Sequence, residues 1–338
     1  MMKYDERKSC LIIAEAGVNH NGSLELAYRL CDAAKKAGAD VVKFQTYQTD
    51  KAITNHLKQA EYQKENTGKE ETQYAMLKRL ELSYEEFRKL KEYCDSIGIL
   101  FSSTGDCLED IDFLAKIGVP FIKIASGEIG NIPLLRYVGT KHMPVIMSTG
   151  MSTMSDIDLS IQALRDGGAT DITLLHCTTG YPCDYEYVNL NAMNTIGNAF
   201  KLPIGYSDHT LGNTVAVAAV ALGATVIEKH FTLDKEMEGP DHKASADLKE
   251  FEEFVKAIRV IEASMGDGRK ILTNIEREIS EVVLKRIVAK KPIKKGWIIT
   301  EDDICVKRND SGLLAIQWDL VIGSVATKDY NIDEGITI

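Results

Sequence analysis

Two histidines, three lysines, two carboxylates and a row of hydroxyls share one kind of position in this 338-residue chain: the end of a short apolar run. His209 follows Ile204–Tyr206 and His230 follows Val226–Ile227. Two imidazoles on neighbouring strand ends can hold one divalent metal with positions left open, or can simply be hydrogen-bonded pocket histidines. Lys43, Lys123 and Lys229 stand at equivalent places. Such a lysine binds phosphate or carboxylate, forms a Schiff base, or pairs with a carboxylate. Only the first role needs two together. With Ser103, Thr104, Ser126, Ser148 and Ser207 alongside, a small dianionic substrate is the economical reading. Lys229 adjoins His230, and its alternative reading is that strand alternation turns it outward. Glu15 and Glu128 lie beside Gly17 and Gly127 and suit proton transfer or the orienting of a lysine. Asp241 and His242 sit in the polar stretch GPDHKAS; His242 is either a third ligand or solvent-exposed. His20 precedes the first helix and reads as structural, and His56 and His142 as surface residues.

These side chains need elements that bring them to one place. Eight apolar runs occur in the first 230 residues: Leu11–Ala14, Val41–Val42, Ile99–Phe101, Phe121–Ile122, Val145–Met147, Ile172–Leu175, Ile204–Tyr206 and Val226–Ile227. Each is followed by polar residues of the kind that does chemistry. Amphipathic stretches between them end at Gly38, Gly98, Gly118, Gly168 and Gly223, where glycine adopts the left-handed cap conformation cheaply. Ser23 is the expected N-cap of the first, whose face is Leu26, Ala27, Leu30, Cys31, Ala34 and Ala37. Unalternated apolar strands joined by helices indicate a parallel sheet covered on both sides. Eight of them predict a (β/α)8 TIM barrel, with the polar residues at the C-terminal ends of the strands. Residues 47–83 form an unusually long polar connection on that face, and a substrate-contacting loop is expected there. The pattern stops after Met265. The chain divides into a barrel at 1–265, a linker at 266–283 with a charged helix near 273–283, and a small domain at 284–338.

The net charge of −10 argues against nucleic acid or an anionic membrane surface as a partner. Seven scattered cysteines without a CxxC pair fit a reducing cytoplasm. The opening MMKYDERK leads into no long apolar run, so neither a signal peptide nor a membrane span is expected.

Several segments together resemble the bacterial sialic acid synthase family: IIAEAGVNHNGS (12–23), GADVVKFQTY (38–47), FIKIASGEIGNIPLL (121–135), VIMSTGM (145–151), LLHCTTGYP (174–182), GYSDHT (205–210), VIEKHFTLDKEMEGPDHKAS (226–245) and VAKKPIKKG (288–296). The resemblance implies a barrel followed by an antifreeze-like (SAF) domain, and a domain-exchanged homodimer in which that domain caps the partner's active site. It implies condensation of phosphoenolpyruvate with an open-chain N-acylated amino sugar, using manganese or magnesium. By motif, His209 and His230 become the metal ligands. Lys43, Thr104, Lys123, Ser126, Ser148 and Ser207 become the phosphoenolpyruvate cradle. Glu15, Gln45, Glu128, Tyr181 and Asp241 become the sugar and proton-transfer set, and Thr179, where some members carry Asn, becomes a substrate contact without an assigned partner. Arg308 becomes the arginine reaching toward the sugar's N-acyl group in the partner. Ser103-Thr104-Gly105-Asp106 replaces the usual Ser-Thr-Pro-Phe, which alters an apolar wall of the pocket. Arg308-Asn309-Asp310-Ser311-Gly312 replaces Arg-Pro-Gly-Asn-Gly, which predicts a looser arginine loop. Competing readings are an aldolase with a Schiff base on Lys123, a related synthase acting on a sugar phosphate, and an inactive carbohydrate-binding homologue.

Overall fold

The computed structural model describes residues 9–59, 64, 66, 68 and 70–338. The opening MMKYDERK and residues 60–63, 65, 67 and 69 of the long connection lie outside the described residues. Two compact units divide the chain, the first running to Gly266 and the second covering Asp267–Ile338.

In the first unit, eight parallel strands close into a barrel in sequence order. They are β1 (Leu11–Gly17), β2 (Val41–Thr46), β3 (Leu100–Gly105), β4 (Ile122–Ile124), β5 (Val145–Ser148), β6 (Ile172–His176), β7 (Ile204–Asp208) and β8 (Val226–His230). Period-two alternation makes the interior. The same face of β1 carries Leu11, Ile13 and then Glu15; that of β2 carries Val41, then Lys43 and Gln45; that of β8 carries Val226, then Glu228 and His230. Leu11, Ile13, Val41, Phe121, Ile146, Leu175 and Val226 pack into one buried cluster, the apolar floor of the barrel. One or two residues further along, each strand turns polar. Register then fixes neighbours: Glu15 stands opposite His230 on one side and Lys43 on the other, and Thr104 pairs with Lys123.

The helices follow from their caps. Ser23 Oγ accepts the Leu26 amide at 3.3 Å and Gly38 ends the helix Leu24–Ala37 at φ +87°. Ser83 and Glu86 form a reciprocal capping box on Tyr84–Ile97. Residues 47–83 are not simply loop. They contain the helices Thr49–Ala52 and Gln73–Leu80, the second burying Met76 and Leu80 against Val18 and Tyr47.

In the second unit, β9 (Lys285–Ala289) and β10 (Ile304–Arg308) pair antiparallel over a core including Ile287, Ile293, Ile299, Tyr330 and Ile336. The stretch read as a linker carries the helix Asn274–Val283 and belongs to this unit. Among the described residues no helix is long and apolar enough to cross a membrane.

Candidate active site

The C-terminal strand ends surround a cavity of about 340 Å³. Glu15, Lys43, Gln45, Thr104, Lys123, Ser126, Glu128, Ser148, Thr179, Tyr181, Ser207, His209, His230 and Asp241 all line it. Arg308 is exposed at the end of β10 in the second unit. Asn309 Nδ2 donates to the Ser311 carbonyl at 3.0 Å in the turn that follows.

The floor of the cavity is an ionic quartet. Lys43 Nζ lies 2.5 Å from Glu15 and 3.7 Å from Glu228, and donates to Thr104 Oγ1 at 3.1 Å. Lys123 Nζ donates to Ser148 Oγ at 2.7 Å and lies 3.7 Å from Glu228. All four charged groups are buried. Burial would raise the Glu228 carboxyl, but Lys123 and then Lys43 hold it well below the usual carboxylate range. Burial lowers Lys123. Burial also opposes the charge of Lys43, yet Glu15 and Glu228 keep it above the usual lysine value. Glu15 differs: burial pushes its carboxyl up against the pull of Lys43, and Glu228 adds to the rise. Two lysines against two carboxylates balance in formal charge, an arrangement able to receive an anion.

Above the quartet stand three rings. His209 and His230 have centroids 5.7 Å apart, and Tyr181 packs against them at 4.4 and 5.5 Å. Burial, then the neighbouring His209, pushes His230 down to about 3; burial also lowers His209, so both rings are neutral. His209 Nδ1 lies 2.7 Å from the Thr178 carbonyl, which leaves Nε2 as the lone-pair nitrogen. His230 Nδ1 is buried and has no hydrogen-bond partner among the described residues. Two neutral imidazoles, one with an unsatisfied nitrogen, suit a divalent ion with open positions for substrate. Among the described residues no cluster of three or more His, Cys, Asp or Glu is arranged to hold a metal. Protein ligation there would come from these two histidines alone.

The carboxylates read as proton-transfer candidates differ in setting. Glu15 accepts Gln45 Nε2 at 3.2 Å as well as facing Lys43. Glu128 lies at the mouth and accepts Asn131 Nδ2 at 2.6 Å. Burial pushes Asp241 up to about 6. Gly17, at φ +53°, lets these groups converge. A Cβ there would lie 3.3 Å from Gln45 Nε2, 3.4 Å from Glu15 Oε1 and 3.9 Å from Asp241 Oδ2.

Some residues read as candidates face elsewhere. Lys229 points outward, as alternation requires, and binds Asp208 at 2.8 Å. Ser103 also points outward, to Thr46 Oγ1 at 2.8 Å. His242 is neither ligand nor exposed: it is fully buried, with Nδ1 2.7 Å from Thr232 Oγ1 and Nε2 3.2 Å from Asn21 Oδ1. His20 is buried and accepts the Gly22 amide at 3.1 Å. Glu228 and Asp106 line the cavity but were given no role from the sequence. Glu228 shares the inward face of β8 with His230, and the i, i+2 spacing marks it. Asp106 lines the cavity at the position where the resemblance led to an apolar wall. The local backbone survives that change because Asp110 Oδ2 accepts the amides of Asp106 and Cys107 at 3.2 and 2.9 Å.

Paired lysines, paired carboxylates and two neutral histidines stand at the C-terminal strand ends, the face on which (β/α)8-barrel enzymes carry their active sites. The chain belongs to the NeuB family, whose model matches residues 30–270, and a SAF domain matches residues 286–338. It is 45% identical to the N,N'-diacetyllegionaminic acid synthase of Campylobacter jejuni subsp. jejuni, over 97% of this chain and 98% of that one. It is 44% identical to the enzyme of the same name from Legionella pneumophila subsp. pneumophila, over 98% and 93%. The crystal structure of the N-acetylneuraminic acid (sialic acid) synthetase of Leptospira borgpetersenii serovar Hardjo-bovis superposes with a TM-score of 0.72 at 35% identity, covering 81% of this chain and 90% of that one.

Proposed function

We propose that this protein condenses phosphoenolpyruvate with the open-chain form of an N-acylated mannosamine-type sugar, giving a nonulosonic acid and inorganic phosphate. The observation that carries the reading is the placing of Lys43 and Lys123, with their hydroxyl partners, beneath two neutral histidines in one cavity. The names of the 45% and 44% identical relatives agree with it.

In this reading Lys43, Lys123, Thr104, Ser126 and Ser148 hold the phosphate and carboxylate of phosphoenolpyruvate. Gln45, Tyr181 and Asp241 position the sugar. His209 and His230 would hold a divalent ion, manganese or magnesium, which when bound would supply Lewis-acid chemistry toward a carbonyl. Carbon 3 of phosphoenolpyruvate attacks the aldehyde carbon, and the aldehyde oxygen takes up a proton. Water adds at carbon 2 as Glu128 or Glu15 removes its proton. Carbon 2 then expels phosphate with the bridging oxygen, its hydroxyl passing its proton to the leaving phosphate as the 2-keto group forms. Glu15, whose carboxyl burial has raised, can hold a proton close to Lys43. The exposed Ile275, Ile279 and Val282 on the helix Asn274–Val283 form an apolar stripe suited to a second subunit. This supports a homodimer in which Arg308 reaches the partner's sugar.

The test is phosphate release from phosphoenolpyruvate with manganese. The expected result is one phosphate per sugar consumed, abolished by chelation. Phosphate release independent of sugar, or a borohydride-trapped pyruvate adduct on Lys123, would overturn the reading.

A further inference from the structure

The two histidines leave their strands at different points. Backbone pairing between β7 and β8 runs from Tyr206 with Ile227 through Ser207 with Glu228 to Asp208 with Lys229, and ends there. His209 lies just past the end of β7, whereas His230, the last residue of β8, is in register with Glu15 on the β1 side. The ladder between β7 and β8 therefore does not set the separation of the two rings, whose centroids stand 5.7 Å apart. The Thr178 carbonyl fixes the ring of His209, but His230 Nδ1 has no hydrogen-bond partner among the described residues. A metal-binding histidine is ordinarily oriented through its second nitrogen, so the spacing of this pair must come from elsewhere.

Behind the rings, on the outward face of the same strands, the chain neighbours of both histidines are tied together. Lys229 Nζ donates to Asp208 Oδ2 at 2.8 Å and to the Thr210 carbonyl at 2.6 Å. Asp208 Oδ1 accepts the Thr210 amide at 2.9 Å and Thr210 Oγ1 at 2.7 Å. Asp208, Thr210 and Lys229 are all buried, and Lys229 Nζ lies 5.6 Å from the ring centroid of Phe254 on the helix Leu248–Met265. The side chain preceding His230 thus holds the residues on both sides of His209. A buried ion pair is poor support for stability, because apolar residues of similar volume often serve as well. An apolar pair could not, however, bond to a carbonyl beyond the end of the strand.

We propose that Asp208, Thr210 and Lys229 are positioning residues, a clasp that sets the spacing of His209 and His230 for a divalent ion. The proposal rests on the reading of those histidines as metal ligands, and the experiment separates the two. Manganese alone is titrated into the full-length protein, and the free ion is followed by electron paramagnetic resonance. Lys229→Met should weaken binding about tenfold to a hundredfold. That variant leaves the Asp208 carboxylate buried and unpaired, so the double variant Asp208→Asn with Lys229→Met is measured beside it. Its new amide oxygen can still accept from Thr210. Its melting temperature should stay close to that of the unaltered protein while manganese binding falls by the same factor. Arg259→Met breaks the 2.8 Å pair with Asp40 at the start of β1 and β2, the other end of the barrel, and should lower the melting temperature without changing manganese binding. Unchanged manganese affinity in both Lys229 variants, or an equal loss in Arg259→Met, would overturn the clasp and leave the metal site standing. No manganese binding by the unaltered protein would overturn the metal assignment and the clasp with it.

Discussion

Glu228 is the residue on which the charge balance of the cavity turns. It faces both lysines at 3.7 Å and accepts Ser207 Oγ at 3.1 Å. Glu228→Gln leaves two buried ammonium groups against Glu15 alone. A loss of about 3–5 kcal/mol in stability is expected, as for other broken buried pairs, with activity down at least about a hundredfold. Denaturant melts and phosphate-release rates check both, and a fully active, fully stable variant would contradict the quartet. Asp106 carries a pH dependence of its own. Burial, then repulsion from Glu128 and Asp110, pushes its carboxyl up to about 7. Stability from the protonated form is full below the unfolded value near 4 and is lost as pH rises through about 7. Asp106→Asn should therefore stabilise the protein by about 1–3 kcal/mol at pH 8, with the gain shrinking toward pH 5. Thermal melts across that range decide it. Both residues show what sequence could and could not supply. Strand alternation was enough to turn Lys229 outward, and it placed Glu228 beside His230 equally well. Asp106 lies past its strand, where no period applies.

At the scale of elements, the loops after β4, β5 and β6 interlock through Gly150. Its amide donates to Ser126 Oγ at 3.0 Å. A Cβ at this position would lie 2.5 Å from Thr179 Oγ1, 2.8 Å from Ser126 Oγ and 3.1 Å from Cys177 Sγ. Gly150→Ala must displace these hydroxyls from the cavity lining. It should raise the KM for phosphoenolpyruvate about tenfold or more, at a stability cost of about 1–3 kcal/mol. Steady-state kinetics would show this, and an unchanged KM would remove Ser126 from the phosphoenolpyruvate set. The barrel itself was legible because apolar floor and polar mouth lie on one period-two face, and because left-handed glycines close the helices Leu24–Ala37, Tyr84–Ile97 and Leu108–Ile117. The helix Gln73–Leu80 was not. Eight residues with two buried apolar side chains give too short a period to read, and its packing depends on Val18 and Tyr47 from other loops.

Across the whole molecule, a chain of net charge −10 concentrates two buried lysines at one cavity, so the proposed anionic substrate would be met locally and not by the overall field. Completion of the site by a second subunit is the claim that belongs to this scale. Arg308→Ala should raise the KM for the sugar far more than that for phosphoenolpyruvate. Mixed dimers of Arg308→Ala with a Lys123→Met chain should regain activity that neither parent shows; equal effects on both substrates, or no recovery on mixing, would contradict an arginine that works across the dimer. The boundary after Gly266 was readable from the end of the strand–helix repeat, whereas a domain exchange is a relation between chains that no local pattern records. The most direct measurement follows the bridging oxygen of phosphoenolpyruvate, labelled with 18O and turned over with an N-acylated sugar and manganese. The account predicts that the label leaves in inorganic phosphate, as cleavage of the C–O bond requires. Label retained at carbon 2 of the sugar acid would contradict it.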